Sequence, residues 1–558
     1  MRAVVVVSLA LFVHSGTTLG VHATTTDPPE DELTATLARP SCRIFVDATA
    51  KQNRFVLIEG SPDEDAVQIF DEFPSILPGL GDMEPRETYQ QLRPGFMSIA
   101  EYLQRQPADP QRVEPRYCHT HLLVTGALKS VGHDRLNDLF HQLHQDSIED
   151  AQFPFRFARD DLRVIETAGK GYFHSLGVNY LDGRITSNLS PGAVELAGVL
   201  SLNPDGLLMS FDGQERWRRG IRRKFVSRVL NMTDFFSREY VDVTYDRFHS
   251  IMADALYDSA TTKTDVVAHP CLFRGFSEQK SVGKLAAAST VQLEGAGDAT
   301  ACLRQMKSVI KQSNNDCPGG KFCFFNSVSQ PKPTNPFFAS GSFVSTVNFA
   351  NEVLKRSSKK ANAELLSDLP MPTLLSLKSA AEEVCQTSWE TIEGLNLEYE
   401  QTFISHGCFE LCHAVAVLEQ LGITDEEKRV VFGEPSMNEI KVTQDSDPSP
   451  SKSVRSTPEE LSWLVGAFMY LELLQKQKSY SVEADIFAVR VSEGLPMGWA
   501  MSAILLVGAC VSLYFTTGAR PVKTKGGGYR RVVNSSSSSS EQPRHTTCAI
   551  MFIDDASE

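Results

Sequence analysis

The feature that most constrains the fold is a strand, acid and turn pattern that occurs twice, about 150 residues apart. The two copies are Phe45-Val46-Asp47-Ala48-Thr49 and Val194-Glu195-Leu196-Ala197-Gly198. In each copy an apolar strand leads into an acidic residue and then into small residues. The repetition predicts two related α/β halves that face each other across a cleft. Each copy taken alone also fits an ordinary hairpin with one surface acid.

The same pattern is suited to phosphate chemistry. Backbone amides in tight turns bind phosphate oxygens, and carboxylates bind hard divalent cations, often through water. The pattern therefore predicts that turn amides of both halves hold phosphate. It also predicts that Asp47 and Glu195 hold a divalent cation, largely through water.

Local patterns predict several elements around these two copies. Residues 43–47 and 54–59 are predicted as two strands of a hairpin. Gly169-Lys170-Gly171 is predicted as a glycine turn, and Asn203-Pro204-Asp205-Gly206 as a hairpin turn that follows a strand ending near Gly198. Residues 234–254 are predicted as a helix.

Two further helical patterns bear on function. Thr457 and Glu460 have the spacing of a capping box, and the apolar residues around Trp463 predict a buried helix after them. His141 and His144 share one face of another predicted helix. Because no carboxylate stands at a matching spacing, these histidines are interpreted as solvated rather than metal-binding.

Both ends of the chain predict its topology. Residues 1–23 have the basic start, apolar core and small final residues of a secretory signal peptide, and 24–41 form a disordered lead. Residues 495–515 carry no charge, are long enough to cross a bilayer as a helix, and are followed by basic residues. Positive residues remain on the cytoplasmic side. We expect a single-pass type I membrane protein with an extracellular or lumenal domain and a disordered cytoplasmic tail at 516–558.

Composition narrows the function classes. With 558 residues, 42% of them hydrophobic and 22% charged, the chain fits a globular protein of two or three domains. Its formal charge of -15 argues against broad nucleic-acid binding, because phosphate backbones attract positive surfaces. The sequence does not predict an oligomeric state.

The cysteines agree with an oxidising compartment. There are eleven, and the plausible disulfides are Cys317 with Cys323, Cys385 with Cys408, and Cys271 with Cys302, although sequence leaves their connectivity open. Two glycosylation acceptors lie on the predicted outer side, Asn188 and Asn231.

Four segments carry a more specific signal when they are taken in order. They are Asp47-Ala48-Thr49-Ala50-Lys51-Gln52-Asn53-Arg54, Val124-Thr125-Gly126-Ala127-Leu128-Lys129, Gly169-Lys170-Gly171 through Val178-Asn179-Tyr180-Leu181, and Ala193-Val194-Glu195-Leu196-Ala197-Gly198-Val199-Leu200. Their order and spacing resemble the apyrases, the nucleoside triphosphate diphosphohydrolases of cell surfaces and secretory lumens. That family has Asp-Ala-Gly-Ser-Ser-x-Thr-Arg, Ala-Thr-Ala-Gly-x-Arg, an acidic pair before Gly-x-Tyr-Gly-Trp, and Ala-Leu-Asp-Leu-Gly-Gly-Ala-Ser.

The resemblance implies an actin-like (ribonuclease H-like) α/β fold whose two lobes enclose a nucleotide cleft. Residues 42–190 and 456–480 would form the first lobe, 191–441 the second, and 442–455 a surface loop. It also implies hydrolysis of nucleoside di- or triphosphates with Ca²⁺ or Mg²⁺. A water attacks the terminal phosphorus, a glutamate positions that water, and metal and turn amides stabilise the charge. The residues implied to contact phosphate are Ala48, Thr49, Arg54, Thr125, Lys129, Ala197 and Gly198.

The departures from the family bear on activity. The acidic pair that contains the catalytic glutamate reads Gly169-Lys170, so Lys170 occupies the position of the carboxylate, and Glu166 is an alternative base. Loss of a catalytic carboxylate costs about two to four orders of magnitude in rate. The sequence predicts a nucleoside phosphatase with weak activity. A catalytically inactive nucleotide-binding or interaction protein that keeps the fold is the alternative, followed by an unrelated adhesion protein.

Overall fold

The structure is a computed structural model that describes residues 41–49, 51–61, 66–106, 113–125, 131–204, 206–213, 229–259, 265–283, 289–356, 364–435, 454–455 and 460–476. The predicted signal peptide, transmembrane helix and cytoplasmic tail lie outside these residues, as do Lys129 and Thr457. Within the described part of the chain, no helix is both long and apolar enough to span a membrane.

The first half of the chain builds a five-stranded mixed sheet. Its strands are β1 (Ser41–Ala48), β2 (Asn53–Ser61), β3 (Ala66–Phe70), β4 (His119–Val124) and β5 (Leu162–Val164), in the order β3-β2-β1-β4-β5. β1, β2 and β3 pair antiparallel, whereas β4 and β5 run parallel to β1. The predicted first hairpin is confirmed. Ser41, assigned by sequence to the disordered lead, instead begins β1.

The second half of the chain repeats this sheet. Its strands are β6 (Gly198–Asn203), β7 (Gly206–Asp212), β8 (Phe235–Tyr240), β14 (Phe337–Gly341) and β15 (Val430–Phe432), in the order β15-β14-β6-β7-β8. β6, β7 and β8 pair antiparallel, and β14 and β15 run parallel to β6. The two sheets therefore share one connectivity, an antiparallel meander followed by two parallel strands.

The register of the second copy differs from the prediction. The sequence predicts that a strand ends near Gly198, but β6 begins there. The counterpart of the β1–β2 loop is therefore the connection after Asn203, several residues beyond Glu195. The predicted helix of residues 234–254 is also wrong over its first third, which forms β8.

Three smaller sheets complete the strands that the structure describes. β9 (Val266–His269), β10 (Ser277–Val282) and β11 (Ser289–Gly295) form one; β12 (Phe322–Cys323) and β13 (Ser329–Gln330) form another; β16 (Glu434–Pro435) and β17 (Val454–Arg455) form the third. Because β17 is a strand, the end of the predicted surface loop at 442–455 is paired rather than free.

Helices cover both sheets. They are α1 (Thr88–Arg105), α2 (His133–Glu149), α3 (Thr167–Leu181), α4 (Tyr245–Ser259), α5 (Ala299–Ser313), α6 (Ser342–Arg356), α7 (Leu374–Gln386), α8 (Trp389–Gly394), α9 (Gln401–Gln420) and a helix over residues 462–476. α1 and α2 share a core with the first sheet, and α5 to α9 share one with the second. Gly169-Lys170-Gly171, predicted as a turn, lies in the first turns of α3.

The helix of residues 462–476 and α3 form a core together with side chains from both sheets. This core contains Phe45 of β1, Phe235 of β8 and Trp463. The two helices touch through glycines, because a Cβ at Gly177 would lie 1.7 Å from the Ser462 carbonyl oxygen and one at Gly466 would lie 1.8 Å from that of Phe173. Only glycine permits such an approach of two helices.

Four disulfides are formed among the described residues. Three are the expected pairs, Cys271–Cys302, Cys317–Cys323 and Cys385–Cys408. The fourth, Cys42–Cys118, joins the start of β1 to the residue before β4 and was not predicted. Its two cysteines are 76 residues apart and become neighbours only because β1 and β4 pair in parallel.

Candidate functional site

Polar side chains collect where β1 and β4 of the first sheet end. Asp47 is the penultimate residue of β1, and its carboxylate lies 3.6 Å from the Arg54 guanidinium. The Thr125 hydroxyl, just after β4, donates to the same carboxylate at 3.3 Å. Burial raises the pKa of Asp47, and the charges of Arg54 and Lys170 only partly oppose this effect. The structure thus brings together three residues that the sequence singled out.

The β1–β2 turn is closed by its own hydrogen bonds. The Thr49 amide donates to the Gln52 carbonyl at 3.0 Å, and the Thr49 hydroxyl donates to the same oxygen at 2.8 Å. Ala48 is fully buried within β1. The Thr49 amide, a predicted phosphate donor, is therefore already used by the turn.

The second sheet contributes different residues from those predicted. Glu195 is exposed and precedes β6, so it does not face Asp47. The Ala197 amide donates to the Asn179 side chain at 2.7 Å, and the Gly198 amide donates to the Pro336 carbonyl at 2.8 Å. These two predicted phosphate donors belong to the packing at the start of β6, because the strand begins where the sequence predicted its end.

The corresponding end of the second sheet presents hydroxyls and an amide. Ser201 and Asn203 lie in the last part of β6, and Ser340 lies near the end of β14. All three donate to one carboxylate oxygen of Glu460: the Asn203 amide and the Ser340 hydroxyl at 3.1 Å each, and the Ser201 hydroxyl more closely. When the family's fourth motif is aligned on β6 instead of on residues 193–200, Ser201 replaces its aspartate.

Lys170 and Glu460 connect the polar groups at the end of the first sheet to those at the end of the second. The Lys170 ammonium lies 3.5 Å from the second carboxylate oxygen of Glu460, and Arg54 donates to the Glu460 backbone carbonyl at 2.6 Å. We call Asp47, Arg54, Lys170, Ser201, Ser340 and Glu460 the inter-sheet cluster. It contains two cations and two anions.

The directions of the pKa shifts favour a charged Lys170–Glu460 pair. Burial would raise the pKa of Glu460, but Lys170, His174 and the donated hydrogen bonds overcome that effect, and the pKa falls to about 2. Burial would lower the pKa of Lys170, but Glu460, Asp47 and Glu239 raise it above its ordinary value. Both side chains are largely shielded from solvent, at 17% and 7% exposed.

A second glutamate fixes the position of Glu460. Glu434 accepts hydrogen bonds from the Leu461 and Ser462 amides at 3.0 Å each, at the start of the helix of residues 462–476. His174 of α3 contacts the same carboxylate at 2.9 Å. A carboxylate at a helix N-terminus satisfies free amides and is favoured by the helix dipole.

Sequence reasoning missed Ser201, Ser340 and Glu434, and gave Glu460 a different role. Glu460 was predicted to close a capping box, but its carboxylate faces Lys170 and Ser201. An unmatched lysine in the third motif is the one signal that could have prompted a search for a compensating acid. Glu166, the alternative base, is exposed at the residue before α3.

Comparisons with known proteins agree with this arrangement. A model of the GDA1/CD39 (nucleoside phosphatase) family matches residues 63–479. Ectonucleoside triphosphate diphosphohydrolase 2 of Homo sapiens is 28% identical over 139 residues, which are 22% of this chain and 25% of that protein. The match thus spans about a quarter of that curated relative.

A solved structure shares the fold. A crystal structure of nucleoside triphosphate hydrolases from Neospora caninum aligns with a TM-score of 0.55 at 13% identity, covering 80% of this chain and 95% of that one. The class is therefore an α/β protein with mixed sheets and the fold of a nucleoside triphosphate hydrolase. The chain belongs to the GDA1/CD39 (nucleoside phosphatase) family.

Proposed function

We propose that this protein hydrolyses nucleoside di- or triphosphates in a cleft between its two sheets, within a two-lobed, actin-like fold. One observation carries the proposal: polar groups from the strand ends of both sheets meet in the inter-sheet cluster. Ligands of α/β sheets bind at the carboxyl ends of the strands, where these groups lie. Membership of a nucleoside phosphatase family supports the same site.

The cluster contains groups for binding phosphate and for orienting water. Lys170 and Arg54 are the cations nearest its centre, and we expect them to contact phosphate oxygens. Glu460 and Asp47 are its carboxylates. With a pKa of about 2, Glu460 is a weak proton acceptor, so we expect it to orient the attacking water rather than take its proton. A phosphate must also compete with Glu460 for Lys170, which should weaken nucleotide binding.

The cluster fits a protein-bound Ca²⁺ or Mg²⁺ poorly. Asp47 is the one acid of the predicted pair that it contains, and that carboxylate already faces Arg54. Glu195, the second predicted acid, lies outside the cluster, and Ser201 lies at the end of the second sheet that reaches it. Because Asp47 faces Arg54 and Glu460 faces Lys170, both carboxylates of the cluster are already paired with cations, and dependence on Ca²⁺ or Mg²⁺ remains a prediction.

A phosphate-release assay on the full-length protein tests the proposal. ATP, ADP, UDP and GDP are supplied with Ca²⁺ or Mg²⁺, and binding is followed in parallel by thermal shift. We expect slow release that Asp47→Ala abolishes and Glu460→Gln lowers at least tenfold. Glu195→Gln is the matched control, because Glu195 is an exposed glutamate outside the cluster, and it should leave the rate unchanged.

Nucleotide binding without turnover is the second candidate, favoured by the ammonium of Lys170 where the family has a carboxylate. A nucleotide-dependent thermal shift without phosphate release would support it. The absence of both responses contradicts both candidates.

We also propose that the domain is extracellular or lumenal and is anchored by one C-terminal helix, as the sequence predicts. The four disulfides support an oxidising compartment, and Asn188 and Asn231 are exposed. Treatment with an N-glycosidase should increase the electrophoretic mobility of the protein from its native cells. Replacing both asparagines by Gln should remove that change, and a protein with no glycan on either residue contradicts the assignment.

A further inference from the structure

The side chains of two histidines and a glutamate lie close together, on elements that contribute no residue to the inter-sheet cluster. His249 lies on α4, Glu278 on β10 and His406 on α9. His249 Nε2 is 3.2 Å from Glu278 Oε1, and His406 Nε2 is 2.9 Å from Glu278 Oε2. The three ligand-type atoms all lie within 4.8 Å of one another. Nothing in the proposed phosphatase chemistry uses these side chains.

The tautomer of His406 is set by a neighbouring carbonyl. His406 Nδ1 lies 2.8 Å from the Thr402 carbonyl oxygen, which can only accept a hydrogen bond. Nδ1 therefore carries a proton, and in a neutral ring Nε2 presents its lone pair to Glu278. Metal-binding histidines typically donate their other ring N–H to a backbone carbonyl in this way.

His249 gives the second, independent indication. Its side chain is 2% exposed, and its Nε2 has no aligned hydrogen-bond partner among the described residues, although Glu278 Oε1 is only 3.2 Å away. Glu278 Oε1 is also without an aligned partner. A metal ion placed between these two atoms can accept a lone pair from each. Ligands of a tetrahedral ion at about 2 Å are separated by about 3.3 Å, which matches this contact.

Aromatic rings hold the two imidazoles in place. Tyr245 stacks on His249 with an interplanar angle of 13°, and Phe409 lies edge-on to the same ring. His269 is close to His249, but its Nδ1 accepts the Cys271 amide at 3.3 Å, so its Nε2 carries the proton and is not a ligand. His406 and Glu278 are 14% and 20% exposed, which leaves one side open to solvent.

We propose that His249, Glu278 and His406 bind one Zn²⁺ ion, with a water at the fourth position. Two imidazoles and one carboxylate are a ligand set for zinc and related transition ions, whereas Ca²⁺ and Mg²⁺ prefer oxygen ligands throughout. The ion would link β10 of the three-stranded sheet to α4 and α9, so its binding should stabilise this part of the fold. The proposal does not depend on nucleotide hydrolysis.

Metal binding to the full-length protein, purified without a histidine tag and stripped with a chelator, tests the proposal. We expect one equivalent of Zn²⁺ by elemental analysis after dialysis, and a higher midpoint of thermal unfolding. Co²⁺ should give the intense visible bands of a four- or five-coordinate ion. Glu278→Gln and His406→Gln should weaken Zn²⁺ binding about 100-fold or more, since loss of a ligand costs at least as much as loss of its supporting partner.

His141→Gln is the matched control, because His141 is an exposed histidine on α2, and it should bind Zn²⁺ like the wild type. Circular dichroism of each variant identifies any that fails to fold. Zn²⁺ binding that is equally weak in the wild type and in His406→Gln would overturn the proposal and leave a histidine–glutamate ion pair only. Because no nucleotide is present, failure of this test is distinct from failure of the phosphatase proposal.

Discussion

Lys170 determines the electrostatics of the inter-sheet cluster. The sequence shows only that a lysine stands where the family has a glutamate, which by itself indicates a damaged site. In the structure this lysine is compensated, because Glu460 supplies a carboxylate within 3.5 Å from a different element. The Lys170–Glu460 pair is neutral overall, and its ammonium stands where the family has a carboxylate. Lys170 therefore has a structural role as well as a proposed binding role.

The first prediction concerns the stability of this pair. Lys170→Ala should destabilise the protein by about 3 kcal/mol, because it leaves the Glu460 carboxylate shielded from solvent without its cation. The free energy of unfolding is measured by urea denaturation. The double variant Lys170→Ala with Glu460→Gln should recover much of the loss, and a double-mutant cycle without coupling would show that the pair contributes nothing.

The second prediction concerns pH. The folded pKa of Glu460 is about 2, below its ordinary value of 4.5, so the folded state binds this proton less readily than the unfolded state. The stabilisation is therefore complete above about pH 4.5 and is lost as the pH falls towards 2. The difference in unfolding free energy between wild type and Glu460→Gln should shrink across this window. A difference that stays constant across it would contradict the assigned ionisation.

At the scale of elements, the contact between α3 and the helix of residues 462–476 positions both members of the pair. Lys170 lies near the start of one helix, and Glu460 lies just before the other. Gly177 and Gly466 let the two backbones meet, and Glu434 holds the start of the second helix. The Lys170–Glu460 pair depends on this helix contact. Substitutions at the contact should therefore alter the inter-sheet cluster, although the substituted residues do not touch it.

The third prediction tests that contact. Gly177→Ala should destabilise the protein by about 3 kcal/mol or more, because its Cβ would lie 1.7 Å from the Ser462 carbonyl oxygen and the helices must separate. Gly169→Ala is the control in the same helix. Its Cβ would meet only Ile165 at 3.5 Å, so alanine should raise stability by up to about 1 kcal/mol. Equal effects of the two changes in thermal unfolding would rule out a close helix contact.

At the scale of the whole molecule, two sheets of the same connectivity contribute to one cluster. The first supplies Asp47 and Arg54, and the second supplies Ser201 and Ser340. Among the described residues of the cluster, the cations Arg54 and Lys170 come from the first half and the hydroxyls come from the second. A ligand bound there should therefore contact both halves at once.

The fourth prediction follows from this division. A non-hydrolysable ATP analogue should slow amide hydrogen exchange in residues 41–61 and in residues 198–212 together, because both strand ends border the same site. Hydrogen exchange read by mass spectrometry measures both segments in one experiment. α2 packs on the face of the first sheet opposite the helix of residues 462–476, and it serves as an internal reference. Protection confined to one half would argue against a shared cleft.

Local sequence patterns were sufficient to predict several strands and disulfides of the fold. Strand propensity and turn residues predicted β1 and β2, cysteine spacing suggested three disulfides that the structure forms, and the order of the motifs identified the family. These features depend on residues that are near in sequence or on a resemblance that spans the chain. The strand register around Glu195 was missed, because apolar residues on both sides of Gly198 fit a strand that ends there as well as one that begins there.

The sequence by itself therefore determined the two-part plan, the family and the loss of a carboxylate at Lys170. Only the tertiary structure decided what replaces it. Glu460 meets Ser201 from 259 residues away and Glu434 meets His174 from 260, separations at which no local pattern specifies a partner. The same holds for His249, Glu278 and His406, which come from a helix, a strand and another helix. Burial makes an unpaired charge costly, so the folded chain must bring such partners together, but their identity depends on packing.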